Sequence, residues 1–121
     1  MADDVVLNKA AIIERCVARV REVHAGDLNL QRACEASIDL AMHLVRIRRL
    51  GVPQESRDAF DLLRRDGLIE AGLAERLEKM VGFRNVAVHA YDRPDVEIVR
   101  SIVREKLGDF LELVRAALTW S

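Results

Sequence analysis

Apolar residues recur every three to four positions along most of the chain, the spacing that places them on one face of an α-helix. The pattern predicts five helices, and two-residue alternation typical of strands is nearly absent. The expected helices cover about Asp3–His24, Leu28–Leu50, Gln54–Arg65, Glu70–His89 and Asp95–Trp120. Short turns between long helices favour an all-α fold, an antiparallel up-and-down bundle, with residues 1–121 as a single domain.

The turns between the expected helices contain residues that stop or start a helix. Gly26 ends the first helix and Asp27 is an N-cap candidate for the second. Gly51 and Pro53 end the second helix, and Gly67 closes the third.

The second helix has an unusual distribution of polar residues. Its apolar positions cover well over half of the circumference, so it should be buried on several sides. In a chain of 121 residues this predicts either a central position or a subunit interface. One narrow polar strip remains on this helix, made of Arg32, Glu35, Asp39, His43 and Arg46.

The amino-acid composition and the net charge limit the class of protein to which the chain can belong. Hydrophobic residues make up 50% and charged residues 32%, which is typical of a globular domain. The net charge of −1 provides no general attraction for nucleic acid, so any phosphate contact needs a local basic cluster. No apolar run is long enough to span a membrane, and the acidic N-terminus lacks the basic region of a signal peptide, so we expect a cytoplasmic location. Cys16 and Cys34 lack zinc-site spacing and are expected to be buried free thiols.

The most informative segment is residues 84–91, which contain Arg84, Asn85, His89 and Tyr91. Asn85 and His89 are four apart and share a helix face, while the long Arg84 side chain can reach the same ligand. Taken singly, each residue has a structural interpretation: a histidine near a helix C-terminus, a surface Arg–Asn pair and a tyrosine packed over the core. Together they provide a proton carrier near neutral pH and a cation that binds phosphate.

These groups match the needs of RNA cleavage by its own 2′-hydroxyl. The reaction requires a base for that hydroxyl, an acid for the leaving 5′-oxygen and a cation beside the phosphorane; it requires no metal in principle, and we expect no cofactor. A single histidine is poorly suited to act both as the base and as the acid of this reaction. A two-fold homodimer that brings two such segments together would supply two His89 and two Arg84 side chains in one cleft.

The sequence resembles the HepT toxins of the HEPN superfamily over nearly its full length. The central likeness is Arg84-x4-His89-x-Tyr91 with Asn85 directly after the arginine. Further likeness lies in the second helix from Glu35 through Asp39 to His43. It continues in Gly51-Val-Pro53, Phe60-x-x-Leu63 and the stretch from Leu77 to Asn85. The Arg-x4-His core occurs by chance in many helices, so the specificity comes from the combination.

The resemblance implies a homodimeric, metal-independent ribonuclease toxin with its two motifs at a cleft along the dimer interface. It also implies an MntA-like nucleotidyltransferase antitoxin that transfers AMP to the motif tyrosine. Arg84 and His89 would be the catalytic pair, Asn85 a positioning residue and Tyr91 the modification site. Glu35, Asp39 and His43 either orient Arg84 and His89 or pair among themselves. The slightly acidic net charge favours a structured substrate such as tRNA over bulk message.

Two other classes of function fit the sequence. One is a non-catalytic helical adaptor that binds a nucleotidyltransferase and presents Tyr91. The other is a metal enzyme using Asp39, His43 and His89, since residues four apart on a helix have acceptable ligand spacing.

Overall fold

The computed structural model describes the backbone of residues 3–23, 26–89 and 96–120, and the side chains of residues 3–18, 31–81 and 107–119. The described residues form five α-helices and no strand. Their bounds are α1 Asp4–Val23, α2 Gly26–Ile47, α3 Ser56–Arg65, α4 Ala71–His89 and α5 Val96–Trp120. The prediction of an all-α fold is confirmed. No helix within these ranges is long and apolar enough to cross a membrane.

Helix α2 lies at the centre of the bundle and packs against all four other helices. Its apolar side chains between Ala33 and Val45 are buried except for the partly exposed Met42, with Ala33, Leu40 and Leu44 each 0% exposed. Covering a leucine side chain stabilises the fold by about 2 kcal/mol. Of the two positions that the sequence allowed for this helix, the central one is therefore found. Cys16 and Cys34 are buried free thiols, as expected.

The ends of α2 differ from the sequence prediction. The helix already begins at Gly26, so Asp27 lies inside it, and the prediction of Asp27 as the N-cap is wrong. The helix ends at Ile47, three residues before the predicted end at Leu50. The cause is Arg49, whose φ of 54° is left-handed and stops the helical repeat.

The ends of α2 and α3 have the same backbone hydrogen bonds. In α2 the Leu50 N–H donates to the Val45 carbonyl (3.0 Å) and the Arg49 N–H donates to the Arg46 carbonyl (3.2 Å). In α3 the Leu68 and Gly67 N–H groups donate to the Leu63 and Arg64 carbonyls, at 3.1 and 3.0 Å. Both ends are Schellman motifs. The left-handed position holds Gly67 after α3, whereas it holds Arg49 after α2.

Helix α4 is fixed against the core and against α5. Its Leu77 and Met80 side chains are almost fully buried, and the Arg76 Nε donates a hydrogen bond to Asp109 Oδ1 of α5 at 2.8 Å. Asp109 is only 6% exposed, and its carboxylate raises the pKa of Arg76 above the ordinary value. This partly buried contact ties α4 to α5.

We predict that Arg49→Gly stabilises the protein. Glycine adopts the left-handed conformation without the steric cost of a β-carbon, so the free energy of unfolding should rise by about 1 kcal/mol and Tm by about 4 °C. Urea unfolding and thermal unfolding followed by circular dichroism would measure both.

The matched control is Gly67→Ala in the equivalent turn. A β-carbon there would meet no atom within 4 Å, so only the backbone cost at φ 84° applies, and stability should fall by about 1 kcal/mol. A loss of stability in Arg49→Gly, or none in Gly67→Ala, would contradict the interpretation.

Candidate active site

Three of the four motif residues lie on the last two turns of α4. The helix ends at His89, as the sequence predicts, so Arg84, Asn85 and His89 have helical backbone. Asn85 and His89 are one turn apart, on the same face. The side chains of residues 82–89 and the whole of Tyr91 lie outside the described residues. The roles assigned to Arg84, Asn85, His89 and Tyr91 therefore stay predictions from the sequence.

His43, in the polar strip of α2, contacts the start of α1. Its Nε2 lies 2.7 Å from Asp3 Oδ2, and the side chain is only 14% exposed. The other carboxylate oxygen of Asp3 accepts a hydrogen bond from the Val6 N–H at 2.8 Å, so Asp3 also caps α1. The hydrogen bond with His43, reinforced by that from Val6, holds the pKa of Asp3 below its ordinary value.

Asp39, one turn before His43, also contacts α1. Lys9 Nζ lies 3.2 Å from Asp39 Oδ2 in a partly exposed ion pair. Glu35 is exposed one turn earlier on the same helix. Sequence reasoning allowed His43 and Asp39 to orient the motif or to pair among themselves, and it did not identify these partners from α1. A role in positioning Arg84 and His89 stays a prediction for Glu35, Asp39 and His43.

The partners Asp3 and Lys9 could have been found in the sequence. When two helices pack antiparallel, residues further towards the C-terminus of one helix lie beside residues further towards the N-terminus of the other. Lys9 is six residues after Asp3, and its partner Asp39 is four residues before His43, and each pair joins a carboxylate to a basic side chain. The informative signal was therefore the order of acidic and basic residues on α1, which complements the order on α2. A search for motifs within single helices does not detect it.

These contacts bear on the metal-enzyme alternative. The Lys9 ammonium lies 3.2 Å from Asp39 and would repel a cation bound there, and His43 Nε2 faces Asp3 rather than Asp39. Among the side chains that the structure describes, no three histidine, cysteine or carboxylate groups lie close enough to share an ion.

Comparison with known proteins assigns the chain to a family. The family described as Ribonuclease HepT-like matches residues 9–117. The mRNA nuclease HepT of Shewanella oneidensis is 42% identical over 127 aligned positions, which cover 93% of this chain and 95% of that protein. Fold and motif together define an all-α protein of the HEPN type. The chain belongs to the HepT-like ribonuclease family.

Solved structures agree in fold. The tri-AMPylated Shewanella oneidensis HEPN toxin, in complex with MNT antitoxin, superposes with a TM-score of 0.87 at 40% identity. The match covers 97% of this chain and 98% of that toxin. A cytosolic protein of unknown function from Bacillus subtilis, YutE, has the same fold at 14% identity and a TM-score of 0.77. The same fold therefore occurs in a protein of very different sequence.

We predict a pH-dependent contribution of Asp3 to stability. Its pKa is depressed in the folded state, so its contribution is present above the unfolded pKa, near 3.8, and is lost as the pH falls through the lower folded value. Asp3→Asn keeps the cap but removes the charge, so it should lower Tm modestly near neutral pH. The difference from wild type should vanish in strong acid. Thermal unfolding across pH would measure it.

Asp4→Asn is the matched control, because it removes a carboxylate from the same turn without the contact to His43. An equal effect of Asp4→Asn, or a pH-independent effect of Asp3→Asn, would argue against the role of the Asp3–His43 contact.

Proposed function

We propose that the chain is the toxin of a toxin–antitoxin pair and acts as a metal-independent endoribonuclease on cellular RNA in the cytoplasm. The observation that carries the proposal is the Arg84-x4-His89 motif, placed at the C-terminal end of α4 in a chain 42% identical to an mRNA nuclease. That identity extends over almost the whole of both proteins. The all-α fold and the family match support the same activity.

The proposed site is built by two copies of the chain. In the proposed reaction, His89 of one copy removes the proton from the RNA 2′-hydroxyl, whose oxygen attacks the adjacent phosphorus. The bond to the 5′-oxygen breaks, and His89 of the partner subunit, in its protonated form, donates a proton to that oxygen. The products are a 2′,3′-cyclic phosphate and a 5′-hydroxyl. Arg84 stays charged throughout and stabilises the phosphorane, while Asn85 positions the substrate.

The partner in the proposal is a nucleotidyltransferase antitoxin of the MntA type. The similar toxin from Shewanella oneidensis is tri-AMPylated and in complex with an MNT antitoxin. We infer that the antitoxin of this chain transfers AMP to Tyr91. An anionic adenylyl group two residues from His89 would fill the cleft and repel the substrate phosphate.

Two classes of RNA are candidate substrates. The net charge of −1 favours a compact, structured RNA such as tRNA, whereas the similar Shewanella oneidensis protein is an mRNA nuclease. Cleavage of tRNA and of message by the same preparation distinguishes these substrates. Equal cutting of both would remove the preference for tRNA.

We predict that His89→Ala and Arg84→Ala abolish toxicity and RNA cleavage. Loss of a proton-transfer group or of the cation beside the phosphorane should each reduce kcat by a factor of about 100 or more. Growth after induction and cleavage of purified RNA in the presence of a chelator would measure the effect.

Arg57→Ala is the matched control, because it removes an exposed arginine from α3, outside the motif. Circular dichroism must show that all three variants are folded. Folded His89→Ala and Arg84→Ala variants that still cut RNA would overturn the catalytic assignment. A pure wild-type protein that binds the nucleotidyltransferase tightly but cuts no RNA would favour the helical adaptor.

We predict that co-expression with the nucleotidyltransferase adds one or more AMP units to Tyr91. Intact-mass spectrometry should show the added mass in the wild type and its absence in Tyr91→Phe, which should also stay toxic in the presence of the antitoxin. A neutralised complex in which Tyr91 is unmodified would refute this mechanism and point to inhibition by binding alone.

A further inference from the structure

The C-terminal ends of α2 and α3 lie side by side at one end of the bundle. Arg48, the C-cap of α2, forms an ion pair with Asp66, the C-cap of α3. Three arginines lie at the end of α2 and two at the end of α3. We name them the arginine patch: Arg46, Arg48, Arg49, Arg64 and Arg65.

The arginine patch has more positive charge than its paired carboxylates and the two helix ends neutralise. Asp61 and Asp66 are the carboxylates paired with it, which leaves a net side-chain charge of +3 from five arginines and two aspartates. Each helix C-terminus contributes roughly half a negative charge, so about two positive charges remain after both ends are neutralised. The whole chain has a net charge of −1, so this end is a local exception.

The guanidinium groups of the patch are accessible. Arg65 is 67% and Arg64 40% exposed at the side chain, and both share the single carboxylate of Asp61, at 3.0 and 2.6 Å. Arg46 and Arg49 are also exposed, and neither takes part in an ion pair with the side chains that the structure describes. Four of the five arginines can therefore bind an external anion without losing a buried contact.

Arg49 lies where the backbone favours glycine. The matching turn after α3 has Gly67 at the left-handed position, whereas α2 has an arginine there at φ 54°. Residues held in such conformations are concentrated at functional sites. The arginine side chain at this position therefore suggests a use other than stability.

We propose that the arginine patch binds the phosphate backbone of the RNA substrate, away from the bond that is cut. The inference rests on the proposed ribonuclease function. Arginine binds phosphate through two parallel hydrogen bonds, and the patch contains arginine rather than lysine throughout.

The position of the patch limits which RNA it can contact. Helix α4 begins four residues after Gly67 and extends over 19 residues to His89, a length of about 28 Å. The patch and the catalytic motif are therefore at opposite ends of α4. An RNA cut at the motif must extend by several nucleotides to reach the patch, so long substrates gain affinity from it and short ones do not.

The experiment compares RNA binding by variants that cannot cut. In a His89→Ala background, the substitutions Arg46→Gln, Arg49→Gly and Arg65→Gln are combined, and Arg48 is kept because it pairs with Asp66. Fluorescence anisotropy is measured with a labelled tRNA and with an oligonucleotide of about three nucleotides, which is too short to span the length of α4. We expect the triple substitution to weaken tRNA binding about tenfold or more and to leave the short RNA unchanged.

Salt dependence gives a second measurement. Each arginine that contacts a phosphate releases counterions, so the slope of log affinity against log salt should decrease by roughly 0.7–0.9 per arginine removed. The control is Arg57→Gln on α3, which removes one positive charge, a third of the change in the triple variant, from a groove lined by Glu55, Asp58 and Asp61. It should leave tRNA binding and the salt slope unchanged.

Several outcomes would overturn the proposal. They are equal tRNA binding by the triple variant and its parent, an equal effect of Arg57→Gln, and equal weakening of long and short RNA. Unchanged RNA binding with weaker binding of the antitoxin would assign the patch to an acidic protein surface instead. A wild type that cuts no RNA would refute the ribonuclease function, whereas the patch would still be judged by tRNA binding alone.

Discussion

The burial of α2 is the constraint on which the rest of the structure depends. Its apolar side chains extend around most of its circumference, so the bundle is stable only if the other helices surround it. That requirement explains why so short a chain has a well-covered core without disulfides in the described part. It also leaves the polar strip of α2 as a narrow seam, which α1 meets with Asp3 and Lys9.

Much of the fold could be predicted from the sequence because helical periodicity is a local signal. The four other helices begin and end within two residues of their predicted bounds. Phe60, Leu63 and Phe110 lie on the apolar faces of their helices and are all fully buried. The end of α2 was missed because Arg49 adopts a left-handed conformation that residue type does not predict, and the same turn after α3 was found because it contains Gly67.

Less of the candidate site than of the fold could be predicted from the sequence. The motif positions Arg84, Asn85 and His89 could be placed on the end of a helix, because periodicity extends through them and the helix ends at His89. The α1 partners of His43 and Asp39 were missed, because an ion pair between helices depends on how two helices are aligned, which periodicity within one helix does not give. The assignment of a catalytic role came from resemblance and chemistry. The helical periodicity of the sequence alone is equally consistent with a structural histidine at a helix end.

The internal covering of α2 has a consequence for assembly. Its apolar positions between Ala33 and Val45 are covered within one chain, with only Met42 partly exposed, so this stretch of α2 needs no second copy to cover it. In the proposed homodimer, folding and association would then be separate equilibria, unlike in obligate dimers whose subunits unfold when they dissociate. In the proposed homodimer, subunits could therefore exchange between pairs while remaining folded. The ribonuclease activity would then depend on protein concentration. Newly synthesised subunits would be inactive until their concentration was high enough for dimers to form.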